Sequence, residues 1–170
     1  SKKNIGEKVA FKTEKITIVG IQEAIDQMSE IAIFCAGSKV SKKWAQKFVE
    51  SGTSVIDNSS FFRMKENIPL IVPEVNPKKA LEHYGVIANP NCTTIISLMA
   101  IKPLHELSSI KRIVATSFQS VSGAGNLGIT ELISETKRFL NGKRKARNSV
   151  FERRIAFNLS LIHISEPTRP

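Results

Sequence analysis

Apolar runs alternate with amphipathic stretches along the first half of the chain. The run 31–37 is continuously apolar and ends in glycine, which is typical of a strand buried on both faces. Residues 38–50 then place apolar side chains near helical spacing, which predicts a helix. This alternation predicts an α/β fold with a parallel sheet and helices on both faces. Further strands are predicted at 54–57, 69–73 and 85–88, and a short helix at 78–83.

The pattern changes after residue 92. Residues 93–107 are strongly apolar and predict a helix, which Pro103 should kink or restart. Residues 110–121 predict a long strand. Residues 129–140 have amphipathic spacing and predict a second helix.

Three of the predicted strands end in residues that could serve a ligand site. These ends are residues 35–37, 58–60 and 89–92. Ligands of open parallel sheets bind at the carboxyl ends of the strands, and those ends lie along one edge. The three segments therefore predict one shared site.

Cys92 lies between a predicted strand and a predicted helix. A thiol at a helix N-terminus meets unpaired N–H groups and the positive end of the helix dipole, which favour the thiolate. Such a cysteine can act as a nucleophile at neutral pH. The alternative is an ordinary buried cysteine, since free cysteine is often core material. We interpret the other cysteine, Cys35, as mainly core packing, although its backbone could touch a ligand.

Residues 123–128 match the pattern G-x-G-x-x-G. They follow a predicted strand and open a predicted helix, as a dinucleotide-binding turn would. The helix then runs into Asn141-Gly142 and basic residues, without the second strand and acidic residue that such a turn requires. Two other interpretations stay open: a glycine-rich loop lining an active site, and a turn with purely structural glycines.

Composition and charge narrow the functional class. The net charge is +10, but residues 16–136 carry eleven basic and eleven acidic side chains, so the excess lies near the two ends. The basic cluster 143–147 could bind nucleic acid or a phosphorylated ligand, or be a solvated loop. No apolar run is long enough for a membrane span, and no signal peptide is visible. Two cysteines without a disulfide pattern indicate a reducing, cytoplasmic environment.

Six segments, in order, resemble the aspartate-semialdehyde dehydrogenase family over about residues 1–158. The clearest are Asp-Asn-Ser-Ser-Phe-Phe-Arg-Met at 57–64 and Asn-Pro-Asn-Cys at 89–92. The remaining four are 1–6, 34–37, 72–77 and 118–125.

The resemblance implies a domain organisation and a reaction. Residues 1–91 would form a Rossmann-like NADP-binding domain that lacks its first strand and phosphate turn. Residues 92–158 would form the truncated start of an α+β catalytic and dimerisation domain, and 159–170 a non-native tail. The reaction would interconvert aspartyl phosphate and aspartate semialdehyde through a Cys92 thioester, in aspartate-family amino-acid biosynthesis. A homodimer, small-molecule substrates including phosphate, and no nucleic-acid, membrane or metal partner are implied.

The resemblance also assigns roles to individual residues. Cys92 is the nucleophile, and Asn91 and the neighbouring backbone N–H groups are candidate oxyanion donors. Gln119 would orient the substrate, and Arg63 would bind its phosphate. The residues expected to contact the cofactor are Ser1, Lys3, Asn4, Cys35, Ala36, Gly37, Ser122 and Gly123.

Some family features have no counterpart in this chain. None of its three histidines matches the family's proton-transfer histidine, so we expect the chain alone to be catalytically inactive. Two alternatives stay open. One is another phosphorylating aldehyde dehydrogenase that forms an acyl thioester; the other is a basic nucleic-acid-binding module.

Overall fold

The computed structural model describes residues 4–143, 150–151 and 153–157. The chain folds as two compact units, Ser1–Lys111 and Arg112–Pro170. The domain boundary expected between residues 91 and 92 stays a prediction.

A three-stranded parallel sheet forms the centre of the first unit. Its strands are β3 (Ile31–Phe34), β4 (Ser54–Asp57) and β5 (Val86–Ala88), and β4 lies in the middle. The register places Phe34 beside Asp57 and Asp57 beside Ala88, so the three strands end level with one another. The α/β class expected from the sequence is confirmed.

One face of this sheet carries the core of the first unit. Side chains alternate across a strand, and Phe34, Val55 and Val86 share the buried face. Helix α1 (Ile21–Asp26) and helix α2 (Ser38–Glu50) supply further core side chains to the same cluster. The ring of Phe34 meets that of Phe48 edge-on at 5.3 Å, which fixes α2 against β3.

An antiparallel hairpin precedes the sheet in the chain. It consists of β1 (Lys8–Phe11) and β2 (Glu14–Thr17), joined by the two residues Lys12 and Thr13. Lys12 adopts a φ of 52°. Two-residue hairpin turns need positive φ, which a lysine accepts less readily than asparagine or glycine. The sequence Lys12-Thr13 therefore gives no ordinary turn signal for this hairpin.

Helix α3 (Cys92–Leu107) follows β5 after three residues. It continues through Pro103, so the expected kink or restart does not divide it. A short 3-10 helix, Pro77–Glu82, replaces the helix predicted at 78–83. The strand predicted at 69–73 is reduced to a single bridge between Leu70 and Ala88.

The second unit is organised around helix α4 (Gly125–Leu140), which contains the helix predicted at 129–140. A 3-10 turn, Val121–Ala124, leads into it. Glu131 accepts N–H bonds from Val150 and Phe151, and buried Glu135 accepts them from Ile155 and Ala156. Two carboxylates one helical turn apart therefore hold the chain that follows α4.

The long strand predicted at 110–121 is wrong. Residues 109–120 adopt no regular secondary structure, and almost all are exposed. A strand needs a neighbour to accept and donate its backbone hydrogen bonds. Within the described ranges, no segment pairs with these residues.

Gly128, the last glycine of the G-x-G-x-x-G pattern, is a packing residue. A Cβ at this position would lie 2.8 Å from the Val121 carbonyl oxygen and 2.9 Å from the Ala124 Cβ. We expect Gly128→Ala to lower the free energy of unfolding by about 1–3 kcal/mol, the usual cost of overpacking. Urea unfolding of the chain measures this change. Gly123→Ala is the control, because a Cβ there meets no atom within 4 Å; equal losses in both variants would contradict the packing role.

Candidate active site

Cys92 is the first residue of α3, and Asn91 is its N-cap. The Asn91 Oδ1 accepts the Thr93 N–H at 2.9 Å, which satisfies one of the unpaired donors of the first turn. The Cys92 thiol is exposed, and its Sγ lies 3.9 Å from the same Oδ1. The thiol therefore meets solvent at the positive end of a sixteen-residue helix.

Besides capping the helix through Oδ1, the Asn91 side chain has an N–H donor, Nδ2, that could bind a substrate. Both described hydrogen bonds of its amide use Oδ1. In the described part of the chain, its Nδ2 makes no hydrogen bond. An N–H donor beside the thiol is what an oxyanion formed at a substrate carbonyl would require.

Arg63 binds the backbone at the ends of two strands. Its Nε donates to the Asn89 carbonyl oxygen at 2.9 Å, and its Nη2 donates to the Asn58 carbonyl oxygen at 3.2 Å. The guanidinium is half-buried and lies next to the segment that leads into Cys92. The structure thus places Arg63 at the strand end that precedes the cysteine.

Two asparagine side chains connect the same strand ends. The Asn89 Nδ2 donates to the Asn58 Oδ1 at 2.5 Å. The Asn58 Nδ2 donates to the Cys35 Sγ at 3.0 Å. We call Asn58, Arg63 and Asn89 the strand-end clamp. The sequence predicted that residues 58–60 and 89–92 follow strands, but it did not predict the hydrogen bonds between these side chains.

Cys35 is exposed, so its interpretation as core packing is wrong. Phe34, the last residue of β3, points into the core. Because side chains alternate along an extended chain, Cys35 points the other way. Its position at the carboxyl end of β3 agrees with the expected ligand edge.

Residues 35–37 form an open turn between β3 and α2. Gly37 has a φ of +88°, a conformation that favours glycine, and a Cβ there would meet no atom within 4 Å. Ala36 is also exposed. A ligand could therefore approach this backbone directly, which fits a nucleotide at the edge of the sheet.

Asp57 is a buried carboxylate that sequence reasoning did not single out. It is 0% exposed and accepts hydrogen bonds from Ser41 Oγ at 2.6 Å and Ser59 Oγ at 2.7 Å. Ser59 N–H adds a third bond at 3.2 Å. The carboxylate thereby ties the end of β4 to α2 and to the turn that carries Asn58.

The remaining candidates lie in the second unit, at Asn4 of the first unit, or outside the described residues. Gln119 and Ser122 are exposed in the second unit, and the Ser122 Oγ bonds the Ser120 Oγ at 2.9 Å. Gly123 has open space around it. Asn4 is exposed and its carbonyl accepts the Glu7 N–H at 3.1 Å. Ser1, Lys3, most of the basic cluster 143–147 and the tail 159–170 lie outside the described residues.

The described residues contain no group of three or more His, Cys, Asp or Glu side chains that could hold a metal ion. None of their helices combines the length and apolar character that a membrane crossing requires.

Family models match both parts of the chain. Residues 1–83 match the NAD-binding domain of semialdehyde dehydrogenase, and residues 101–169 match the dimerisation domain of the same family. The chain belongs to the semialdehyde dehydrogenase family, whose two domain models together match most of it. The dinucleotide-binding domain expected from the resemblance is therefore present, and the dimerisation-domain match extends into the residues interpreted as a non-native tail.

Curated members of the aspartate-semialdehyde dehydrogenase family are similar along nearly the whole chain. A relative from Aquifex aeolicus is 42% identical over 96% of the chain and 49% of its own length. One from Vibrio cholerae is 43% identical over 93% of the chain and 47% of its own length. The chain thus spans about half the length of the curated relatives that it matches.

Solved structures of aspartate-semialdehyde dehydrogenases are also similar to this chain, and it again covers only part of their length. The Vibrio cholerae enzyme complexed with ASA superposes with a TM-score of 0.75 at 43% identity, covering 93% of this chain and 47% of that one. The Candida albicans enzyme with NADP gives a TM-score of 0.52 at 25% identity, covering 65% and 38%.

Proposed function

We propose that this chain carries the nucleophile and part of the cofactor site of an NADP-dependent aspartate-semialdehyde dehydrogenase. The observation that carries the proposal is the exposed Cys92 thiol at the N-terminus of α3, beside a capping asparagine. The identity of about 40% to curated enzymes of this name supports the substrate. The solved relatives titled with ASA and with NADP support the ligand pair.

The proposed chemistry begins at the Cys92 sulfur. The thiolate attacks the carbonyl carbon of aspartyl phosphate, the C–S bond forms, and the C–O bond to phosphate breaks. The product is a thioester on Cys92 and free phosphate. The helix dipole stabilises the attacking anion before the bond forms.

The neighbouring residues would stabilise and orient the reacting groups. The Asn91 Nδ2 and the backbone N–H groups of the first turn would donate to the oxyanion that develops on the carbonyl. Arg63 would bind the phosphate, since a guanidinium suits phosphate geometry. Gln119 would orient the substrate, in line with the resemblance.

The residues that would contact the cofactor are taken from the family resemblance. Cys35, Ala36 and Gly37 would hold it at the end of β3, and Ser122 and Gly123 would also contact it. Ser1, Lys3 and Asn4 would surround the 2′-phosphate that distinguishes NADP from NAD. When bound, the reduced nicotinamide supplies the hydride that converts the thioester to the aldehyde and frees the thiolate.

A homodimer is proposed from the match to a dimerisation domain. A reducing, cytoplasmic location is proposed from the two free cysteines. Another acyl-thioester aldehyde dehydrogenase is not favoured, because the relatives compared above carry the aspartate-semialdehyde dehydrogenase name.

A chimera tests the proposed function, because the chain spans about half of its relatives. We fuse it to the remaining part of the Vibrio cholerae relative and follow reduction of the nicotinamide with aspartate semialdehyde and phosphate. Turnover should require phosphate and prefer NADP over NAD. A folded chimera that is inactive while the intact relative is active would refute the proposal. Faster turnover of glyceraldehyde 3-phosphate would favour the alternative enzyme class.

A further inference from the structure

The Asn58 side chain connects all three strand ends of the sheet. Asn58 follows the middle strand, β4. Its Nδ2 donates to Cys35 after β3, and its Oδ1 accepts from Asn89 after β5. A movement at one strand end would therefore strain or break a bond to the next.

Arg63 joins two of the same residues through their backbone. Two of its N–H groups, on Nε and Nη2, donate to the carbonyl oxygens of Asn89 and Asn58. Asn89 is 26 residues away from Arg63 in the sequence. The Asn89 N–H in turn donates to the Asp57 carbonyl oxygen at 2.8 Å. Asn89 is thus held at its backbone N–H, at its carbonyl oxygen and at its side chain.

Only two residues separate Asn89 from Cys92. Pro90 is buried, and its ring fixes φ near −65°. Asn91 is held by its N-cap bond to the Thr93 N–H. Few backbone torsions between the anchored Asn89 and the thiol remain free to rotate, so the position of Asn89 sets where the thiol lies.

We propose that Asn58 and Asn89 are positioning residues for Cys92. Their amide–amide hydrogen bond, with Arg63 across the two carbonyls, holds the turn that presents the thiol at the helix N-terminus. The two asparagines act through Asn91 and Cys92 and do not touch the substrate. This inference rests on the proposed function, in which Cys92 is the nucleophile.

The alkylation rate of each cysteine tests the proposal on the intact 170-residue chain. Iodoacetamide is added at pH 7, and mass spectrometry of the separate peptides follows Cys92 and Cys35 independently. In Asn89→Ala the Cys92 rate should fall roughly threefold to tenfold, the effect of losing one hydrogen bond that orders the turn. The Cys35 rate and the melting temperature should change little.

Two further variants separate positioning from general destabilisation. Asn58→Asp keeps an acceptor for the Asn89 Nδ2 and should retain the Cys92 rate, whereas Asn58→Ala should not. Asn76→Ala is the matched control: like the Asn58 amide, its amide makes two hydrogen bonds, but its partners are the Leu70 carbonyl oxygen and the Val72 N–H in another loop. It should leave the Cys92 rate unchanged.

The proposal is overturned if Cys92 reacts at the parent rate in both alanine variants, or if Asn76→Ala slows it equally. Should Asn89→Ala fail to fold, Asn89→Ser takes its place, because it also lacks the amide, and the parent Cys92 rate in both Asn89→Ser and Asn58→Ala would overturn the proposal. Alkylation needs neither substrate nor cofactor. An inactive chimera would therefore refute the proposed function without affecting this result, and an unchanged alkylation rate would refute the positioning role alone.

Discussion

Cys92→Ser should abolish turnover in the chimera, by roughly a thousandfold or more. Serine is close to cysteine in size, so the variant keeps the helix start and the Asn91 cap. A hydroxyl is much harder to ionise than a thiol, and the helix dipole cannot make up that difference. The loss should appear in kcat as well as in kcat/KM, because the covalent step itself disappears.

A direct measurement of the intermediate strengthens this test. The parent chimera treated with an acyl phosphate should gain the mass of the acyl group on the Cys92 peptide. The serine variant should gain none there.

Lys102→Ala is the control for this prediction. It lies on the same helix, about 15 Å from Cys92 at 1.5 Å per residue, and removes only an exposed ion pair with Glu106. Its turnover should match the parent. If Cys92→Ser keeps more than about a tenth of the parent turnover, far above what removing a nucleophile leaves, another residue supplies the nucleophile.

The parts of the fold that the sequence predicted well are those encoded by local signals. Helix α2 has the predicted bounds, 38–50, because its apolar spacing begins directly after the apolar strand and its glycine. Helix α3 begins at Cys92, one residue before the prediction, since Asn91 provides the cap. Strand–glycine and asparagine–helix boundaries are short-range features that one sequence shows clearly.

The failures have a common physical cause. Residues 110–121 have the composition of a strand, but a strand exists only with a partner, and partners are set by the tertiary fold. Cys35 lies in an apolar run, yet its side chain is exposed because Phe34 occupies the inward position. The composition of residues 110–121 and of the run around Cys35 shows that both are apolar segments. It does not show which strand would pair with the first, or which way the Cys35 side chain faces.

The candidate site was predicted in part for the same reason. The nucleophile and its cap are neighbours in sequence, and the motif 89–92 shows them together. The contacts of Asn58 with Cys35 and Asn89 depend on the register of three parallel strands. Those residues are 23 and 31 positions apart from Asn58, so no local pattern reveals the bonds.

The buried carboxylate of Asp57 should dominate the stability of the first unit. We expect Asp57→Ala to lower the free energy of unfolding by about 3 kcal/mol. The substitution removes the acceptor of the Ser59 hydroxyl and N–H, and leaves the buried Ser41 hydroxyl only its longer contact of 3.4 Å with the Gly37 carbonyl oxygen. Each buried donor without a partner costs about 1–3 kcal/mol, partly recovered when water enters or the turn relaxes.

Urea unfolding of the chain, followed by circular dichroism, measures this loss of unfolding free energy and compares it with the losses in two further variants. Asp57→Asn keeps one carbonyl acceptor and should lose less than alanine does. Asp26→Ala removes an exposed carboxylate that accepts only a surface bond from Gln22, so its effect should stay within about 0.5 kcal/mol. Equal effects at Asp57 and Asp26 would show that the buried network contributes nothing. A large loss confined to Asp57 would instead mean that the turn carrying Asn58, and with it the strand-end clamp, depends on the buried Asp57 carboxylate.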